Sequence, residues 1–308
     1  METPRLTRRA ALLAGAAGAA ALPSAAAPGA SRPQLLRRPY KPADGGQERE
    51  YMLYVPQGFH SEPGRKWPVM LFLHGSGESG NGREDLEYTM MHGPVMEAWV
   101  QGRDLPFVII QPQLDWGDRT PQPHNNEPPR RGADGSIPER NYGKRPDFPM
   151  KREEPGEQPR RRGDGPRGWA VVEADLLAMV DRTIDDFRGD PDRVYLTGLS
   201  MGGYGTFALA SSHPEKWAAA APICGTGEGV HVENIAEAKL PIWILTGGRD
   251  TGVKPEFVIQ SARALEAAGH PEVRLTVHED LPHNVWTRVY EGWDLYQWML
   301  AQRRSSSS

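Results

Sequence analysis

The pentapeptide Gly198-Leu199-Ser200-Met201-Gly202 stands where an apolar run, residues 194–199, gives way to a helix-forming stretch. A serine so placed reads as a nucleophile elbow, a sharp strand-to-helix turn that exposes the hydroxyl at the head of the new helix. Gly198, Gly202 and Gly203 leave the space such a turn needs. The backbone N–H of Met201 then faces the place where an oxyanion would develop. G-x-S-x-G alone is a weak signal in a chain with 34 glycines, and its position at the junction gives it weight. The turn demands a strand before it and a helix behind it, so it restricts the fold to a layered α/β arrangement.

The rest of the chain has that grammar. Residues 50–55, 69–73, 107–111, 194–199, 218–223, 242–246 and 273–277 are short apolar runs bounded by Gly, Pro or polar residues. Runs without polar alternation suit strands buried on both faces. Residues 170–187, 256–268 and 293–301 have helical spacing, the second closed by Gly269. The expected fold class is α/β, specifically an α/β-hydrolase fold: a mostly parallel sheet, helices on both faces and one long loop insertion.

Hydrophobic residues make up 38% of the 308, enough for one sizeable core. A net charge of -4 gives no reason to expect a nucleic acid partner. Beyond the first thirty residues no stretch of about 20 is continuously apolar, so the mature chain has no expected membrane span.

The start of the chain reads as an address. Arg5, Arg8 and Arg9 precede an uncharged Ala/Leu/Gly run over residues 10–22, followed by Ser24, Ala25, Ala26 and Ala27. This predicts a twin-arginine-like signal peptide over 1–27 and a secreted or periplasmic protein. The competing readings are a disordered Ala-rich tail and a retained anchor. Residues 28–47 read as a linker, 48–304 as the hydrolase domain and 305–308 as a disordered tail. Within the domain, residues 115–168 break the pattern with ten prolines between 121 and 166 and charges of both signs. Loops this long tend to be functional or disordered. This one is expected to cover or flank a pocket without a core of its own.

A serine hydroxyl needs a general base, and the base needs an orienting acid. In this fold their chain order is Ser, then Asp or Glu, then His. Asp250 follows the run 242–246 through Gly247-Gly248-Arg249, and His283 follows the run 273–277 through a short loop. His278 and Asp280 are the decoys: His278 is expected within or just after the strand, and Asp280 shares the histidine's own loop. His270, between Gly269 and Pro271, reads as a surface turn. The second oxyanion donor is assigned to the N–H of Ser76 in His74-Gly75-Ser76-Gly77, with Gly77 as runner-up and His74 shaping the loop. Gly77, Trp116 and Trp286 are candidates for the substrate pocket. Cys224, the single cysteine, reads as a small buried apolar residue, with a catalytic thiol as the alternative. No metal-ligand cluster, Walker loop or dinucleotide fingerprint is present, and no cofactor is expected.

These residues resemble a known group. Glu48-Arg-Glu-Tyr-Met-Leu-Tyr-Val-Pro56, Leu71-Phe-Leu-His-Gly-Ser-Gly-Glu-Ser-Gly80 and Arg193-Val-Tyr-Leu-Thr-Gly-Leu-Ser-Met-Gly-Gly-Tyr-Gly205 look like the bacterial phospholipase/carboxylesterase and "predicted peptidase" group of α/β hydrolases. Ala219-Ala-Ala-Pro-Ile-Cys-Gly225 and His283-Asn-Val-Trp286 fit the same group, whose relatives include feruloyl-esterase-like and polyhydroxybutyrate-depolymerase-like enzymes. The resemblance covers about residues 48–111 and 168–300 and leaves the insertion out. It implies Ser200, Asp250 and His283 as triad, Ser76 and Met201 as oxyanion donors, and a small-molecule or polymer-linked ester as substrate. The alternatives are a prolyl-oligopeptidase-like peptidase, an acyltransferase and a non-catalytic binding protein.

Overall fold

A computed structural model describes residues 31–115, 127–143 and 168–304. The expected signal peptide 1–27, Trp116, much of the insertion and the expected tail 305–308 lie outside the described residues. Among the described residues, no helix is long and apolar enough to cross a membrane.

Eight strands form one sheet: β1 (Gln34–Tyr40), β2 (Arg49–Val55), β3 (Trp67–Leu73), β4 (Val108–Gln111), β5 (Gly189–Leu199), β6 (Ala219–Ile223), β7 (Ile242–Gly247) and β8 (Val273–His278). Their spatial order is β1-β2-β4-β3-β5-β6-β7-β8. β1 and β2 run antiparallel to their neighbours, and every pairing from β4 to β8 is parallel. Every residue of β3, β4, β6 and β7 is buried, so helices and loops cover the central sheet on both faces.

Among the described residues there are six α-helices: α1 (Glu173–Asp186), α2 (Met201–Ser212), α3 (Val230–Glu237), α4 (Pro255–Ala267), α5 (Trp286–Glu291) and α6 (Asp294–Ala301). α1 packs on β3, β4 and β5, α2 on β5 and β6, and α4 on β7 and β8. The fold is therefore the α/β layering that the elbow required.

One boundary is corrected. The stretch 28–47, expected as a linker, contains β1, which pairs with β2 along its whole length from Gln34↔Val55 to Tyr40↔Arg49. Its burial alternates between exposed and half-buried, as suits an edge strand with one face to solvent. Its arginines and Pro39 are residues that protected edges carry, and that composition masks the strand in the sequence.

After β3 the chain crosses to β4 on one side, then returns to place β5 on the other. Such a switch opens a crevice beyond the carboxyl ends of the two diverging strands, where α/β sheets place their ligands. Here that crevice lies between the ends of β3 and β5, at His74 and Ser200 respectively.

Candidate active site

Ser200 follows the last residue of β5 and caps α2, with φ 52° and ψ -115°. A non-glycine residue in the left-handed region is strained, and such strain collects at functional sites. The neighbouring glycines make the turn possible. A Cβ on Gly198 would lie 2.4 Å from the Gly202 carbonyl oxygen, and one on Gly202 would lie 1.9 Å from that of Leu73. Helix and strands thus meet backbone to backbone. The Ser200 N–H is tied to the Ile223 carbonyl of β6 at 2.8 Å. The hydroxyl is left at the N-terminus of α2, whose free N–H groups and dipole favour negative charge.

Asp250 and His283 arrive from the ends of β7 and β8. Asp250 is 1% exposed. Its Oδ1 accepts the N–H groups of Gly252 and Val253, both at 2.8 Å, which leaves Oδ2 to receive His283 Nδ1 at 2.6 Å. His283 Nε2 lies 3.0 Å from Ser200 Oγ. Asp250, His283 and Ser200 therefore form one hydrogen-bonded row. With the carboxylate accepting at Nδ1, the neutral imidazole presents an unprotonated Nε2 to the serine. The two loops approach because Gly247 has no side chain: a Cβ there would sit 2.3 Å from the Pro282 carbonyl oxygen.

The decoys are elsewhere engaged. His278 closes β8, and Asp280 is paired twice with Arg288, at 2.8 and 2.7 Å. His270 is buried rather than superficial; its Nε2 bonds the Leu240 carbonyl at 2.9 Å, which holds the end of α4 against the turn before β7.

The turn after β3 is a 3₁₀ helix, Ser76–Glu78, beside the serine: a Cβ on Gly75 would be 3.6 Å from Ser200 Cβ. Ser76 and Gly77 are exposed, and Met201 is half-buried at the first position of α2. The expected loop-shaping role of His74 is visible in its bonds. It is fully buried, accepts the Leu114 N–H on Nε2 at 3.0 Å, and so carries its proton on Nδ1, which donates to the Gly75 carbonyl at 2.6 Å. Trp286 is buried edge-on to His283, with ring centroids 4.9 Å apart. It forms a wall behind the imidazole. Trp116, the other aromatic candidate, lies outside the described residues.

Three residues at the site escaped the sequence reading. Trp169 donates Nε1–H to the His74 carbonyl at 3.1 Å and fills the space left by Gly205, joining the turn after β3 to α2. Glu78, 4% exposed, has its carboxyl pushed up to about 7 by burial, against the pull of the Gly75 and Glu78 N–H groups. His92 Nε2 lies 3.9 Å away, its imidazole pushed down to about 4 by burial. Near pH 6 both are uncharged, so their approach is a neutral contact rather than an ion pair. The signal available for Glu78 was its place in His74-Gly-Ser-Gly-Glu78; His92 had none.

Cys224 Sγ, an Asp250 carboxylate oxygen and a His283 ring nitrogen lie within 4.8 Å of one another, a spacing that a metal ion could also use. The histidine and carboxylate already satisfy each other, and burial followed by the Asp250 charge pushes the thiol well up, which disfavours a thiolate ligand. The donor set fits a proton relay better than a cation.

A mostly parallel eight-stranded sheet, with Ser200 at the turn after β5 and Asp250 and His283 after β7 and β8, is the architecture of the α/β-hydrolase fold, which this chain has. The model of the dienelactone hydrolase family matches residues 146–292, a stretch that holds Ser200, Asp250 and His283. Poly(3-hydroxyalkanoate) depolymerase C of Paucimonas lemoignei is 41% identical over 63 residues, which are 20% of this chain and 15% of the depolymerase. Among solved structures, a thermostable esterase superposes with a TM-score of 0.58 at 26% identity, over 88% of this chain and 63% of that one. A ferulic acid esterase superposes at 0.55 and 17% identity, over 87% of this chain and 96% of that one. The chain thus spans a small part of the depolymerase and under two thirds of the thermostable esterase.

Proposed function

We propose that the protein is an exported serine hydrolase that cleaves carboxylic esters through an acyl-enzyme. The observation that carries this reading is the row Asp250–His283–Ser200, at 2.6 and 3.0 Å. Ser200 Oγ attacks the ester carbonyl while His283 Nε2 takes its proton. The tetrahedral oxyanion is held by the N–H groups of Met201 and Ser76. His283 returns the proton to the leaving alcohol, and Asp250 keeps the imidazole in the productive tautomer and supports its charged form. Water, activated by the same histidine, then releases the acid. The 26% identical esterase and the short depolymerase match favour an ester, small or polymer-linked, over an amide. Export rests on Arg8-Arg9 ahead of the Ala-rich run and Ala25-Ala26-Ala27.

A fluorophosphonate probe tests the centre of this reading. Wild-type protein is expected to label at Ser200. A panel of aryl, acetyl, feruloyl and 3-hydroxyalkanoate esters then identifies the acyl group. Ser200→Ala or His283→Ala is expected to lower kcat by roughly 10⁴ or more, with little further loss in the double variant, because the residues act as one unit. A folded Ser200→Ala protein that keeps most of its esterase activity overturns the reading.

A further inference from the structure

Cys224 is fully buried, as a filler would be, but its backbone is not that of a filler. Its φ is 50°. Among the described residues three other non-glycine positions have positive φ: Arg188, Ser200 and Lys239. Arg188 and Lys239 follow the C-caps of α1 and α3, where helices commonly end in this conformation. Ser200 and Cys224 do not end helices. Both sit at carboxyl ends of neighbouring strands, Ser200 after β5 and Cys224 after β6, and both face the site.

The turn at Cys224 has a clear effect on its neighbours. The Ile223 carbonyl accepts the Ser200 N–H at 2.8 Å, and the Cys224 N–H bonds the Leu245 carbonyl of β7 at 2.9 Å. Gly225 is thereby pressed against Gly203 of α2, where a Cβ would lie 2.3 Å from the Gly203 carbonyl carbon. The side chain then lies between the loops that carry acid and base. Sγ–H points to the His283 carbonyl oxygen at 3.4 Å, and Sγ lies within 4.8 Å of an Asp250 carboxylate oxygen. The Thr246 hydroxyl, at the end of the neighbouring β7, is buried with no hydrogen-bond partner among the described residues.

We propose that Cys224 is a positioning residue for catalysis, its thiol donating to the His283 main chain from the buried side, beside the Asp250 carboxylate, so that acid and base keep their register. This rests on the triad reading. It differs from packing in one respect: a filler can be replaced by any group of similar size, whereas this role needs a donor at Sγ.

The test uses the full enzyme and three variants. Cys224→Gly removes the donor and eases the positive φ, so folding is protected; Cys224→Ala removes the donor alone; Cys224→Ser keeps one. Glycine and alanine variants are expected to label with fluorophosphonate, yet lose roughly five- to tenfold in kcat with KM within about twofold. In both, the far-downfield proton resonance of the His283–Asp250 hydrogen bond is expected to move. The serine variant is expected to recover kcat to within about twofold and to restore that resonance. A donor-less variant with wild-type kcat and an unmoved resonance overturns the proposal, as does a folded serine variant as slow as glycine. Failure of the wild type to label at Ser200 overturns the triad reading instead.

Discussion

At the scale of single residues, Gly202 has no room for one methyl group, since its Cβ position is 1.9 Å from the Leu73 carbonyl oxygen. The obstacle is backbone on a central strand, which cannot swing aside as a side chain would. Gly202→Ala is expected to cost about 3 kcal/mol or more, read from urea unfolding, while Ser200→Ala leaves stability close to wild type. Glu78 gives a pH signature. Its carboxyl titrates near 7 in the folded protein and in the ordinary carboxylate range when unfolded. Between those values the folded state holds a proton that the unfolded state has lost, so stability falls as pH rises. Glu78→Gln removes that fall. The variant is expected to match wild type closely at pH 4.5 and to gain up to about 3 kcal/mol above pH 7, in urea melts across the range. Ser200, Asp250 and His283 were legible in the sequence because an elbow constrains its neighbours tightly and fixes the chain order of its partners. Trp169, Glu78 and His92 were not, because their burial beside the site comes from how the segments after β3 and before α1 fold back onto the sheet's end.

At the scale of elements, part of the insertion is docked. Residues 127–143 reach the site's rim through polar contacts. Arg140 meets Glu97 with two hydrogen bonds, at 2.9 and 2.8 Å, and Arg103 approaches the same carboxylate at 3.4 Å. Glu97 is fully buried, so the pairing is shielded from water. Tyr142 donates to Glu291 at 2.6 Å, and the Asn141 carbonyl accepts Thr287 at 2.9 Å and Asn284 at 3.3 Å. Asn284 is the residue after His283, so this segment bears on the loop that carries the base. Arg140→Ala leaves Glu97 with Arg103 alone. It is expected to lower stability by about 2 kcal/mol and to raise KM several-fold, with kcat within about twofold, in thermal melts and ester kinetics. The central strands β3, β4, β6 and β7 could be read as apolar runs, since burial on both faces leaves no polar alternation. β1 could not, because an edge strand is selected for charge and proline, the composition of a linker.

At the scale of the whole molecule, the candidate site is distributed along the sheet: the turn Ser76–Glu78 after β3, Ser200 after β5, Cys224 after β6, Asp250 after β7 and His283 after β8. The proposed export by a folded-protein route suits a chain whose one cysteine can form no internal disulfide. The mature N-terminus is expected between residues 26 and 30, by sequencing protein from the extracytoplasmic fraction; an intact Met1 in that fraction rejects cleavage. The distribution also sets an order of failure. β8 is an edge strand, paired among the described residues with β7 alone, and none of its residues is fully buried. Edge elements with little buried surface open at lower free energy than the sheet centre. Under gentle denaturant His283 is therefore expected to leave Ser200 while β5, α2 and the core are still intact. Loss of turnover is expected at a lower urea concentration than loss of the far-ultraviolet signal, with the amides of β8 exchanging ahead of those of β3 and β5.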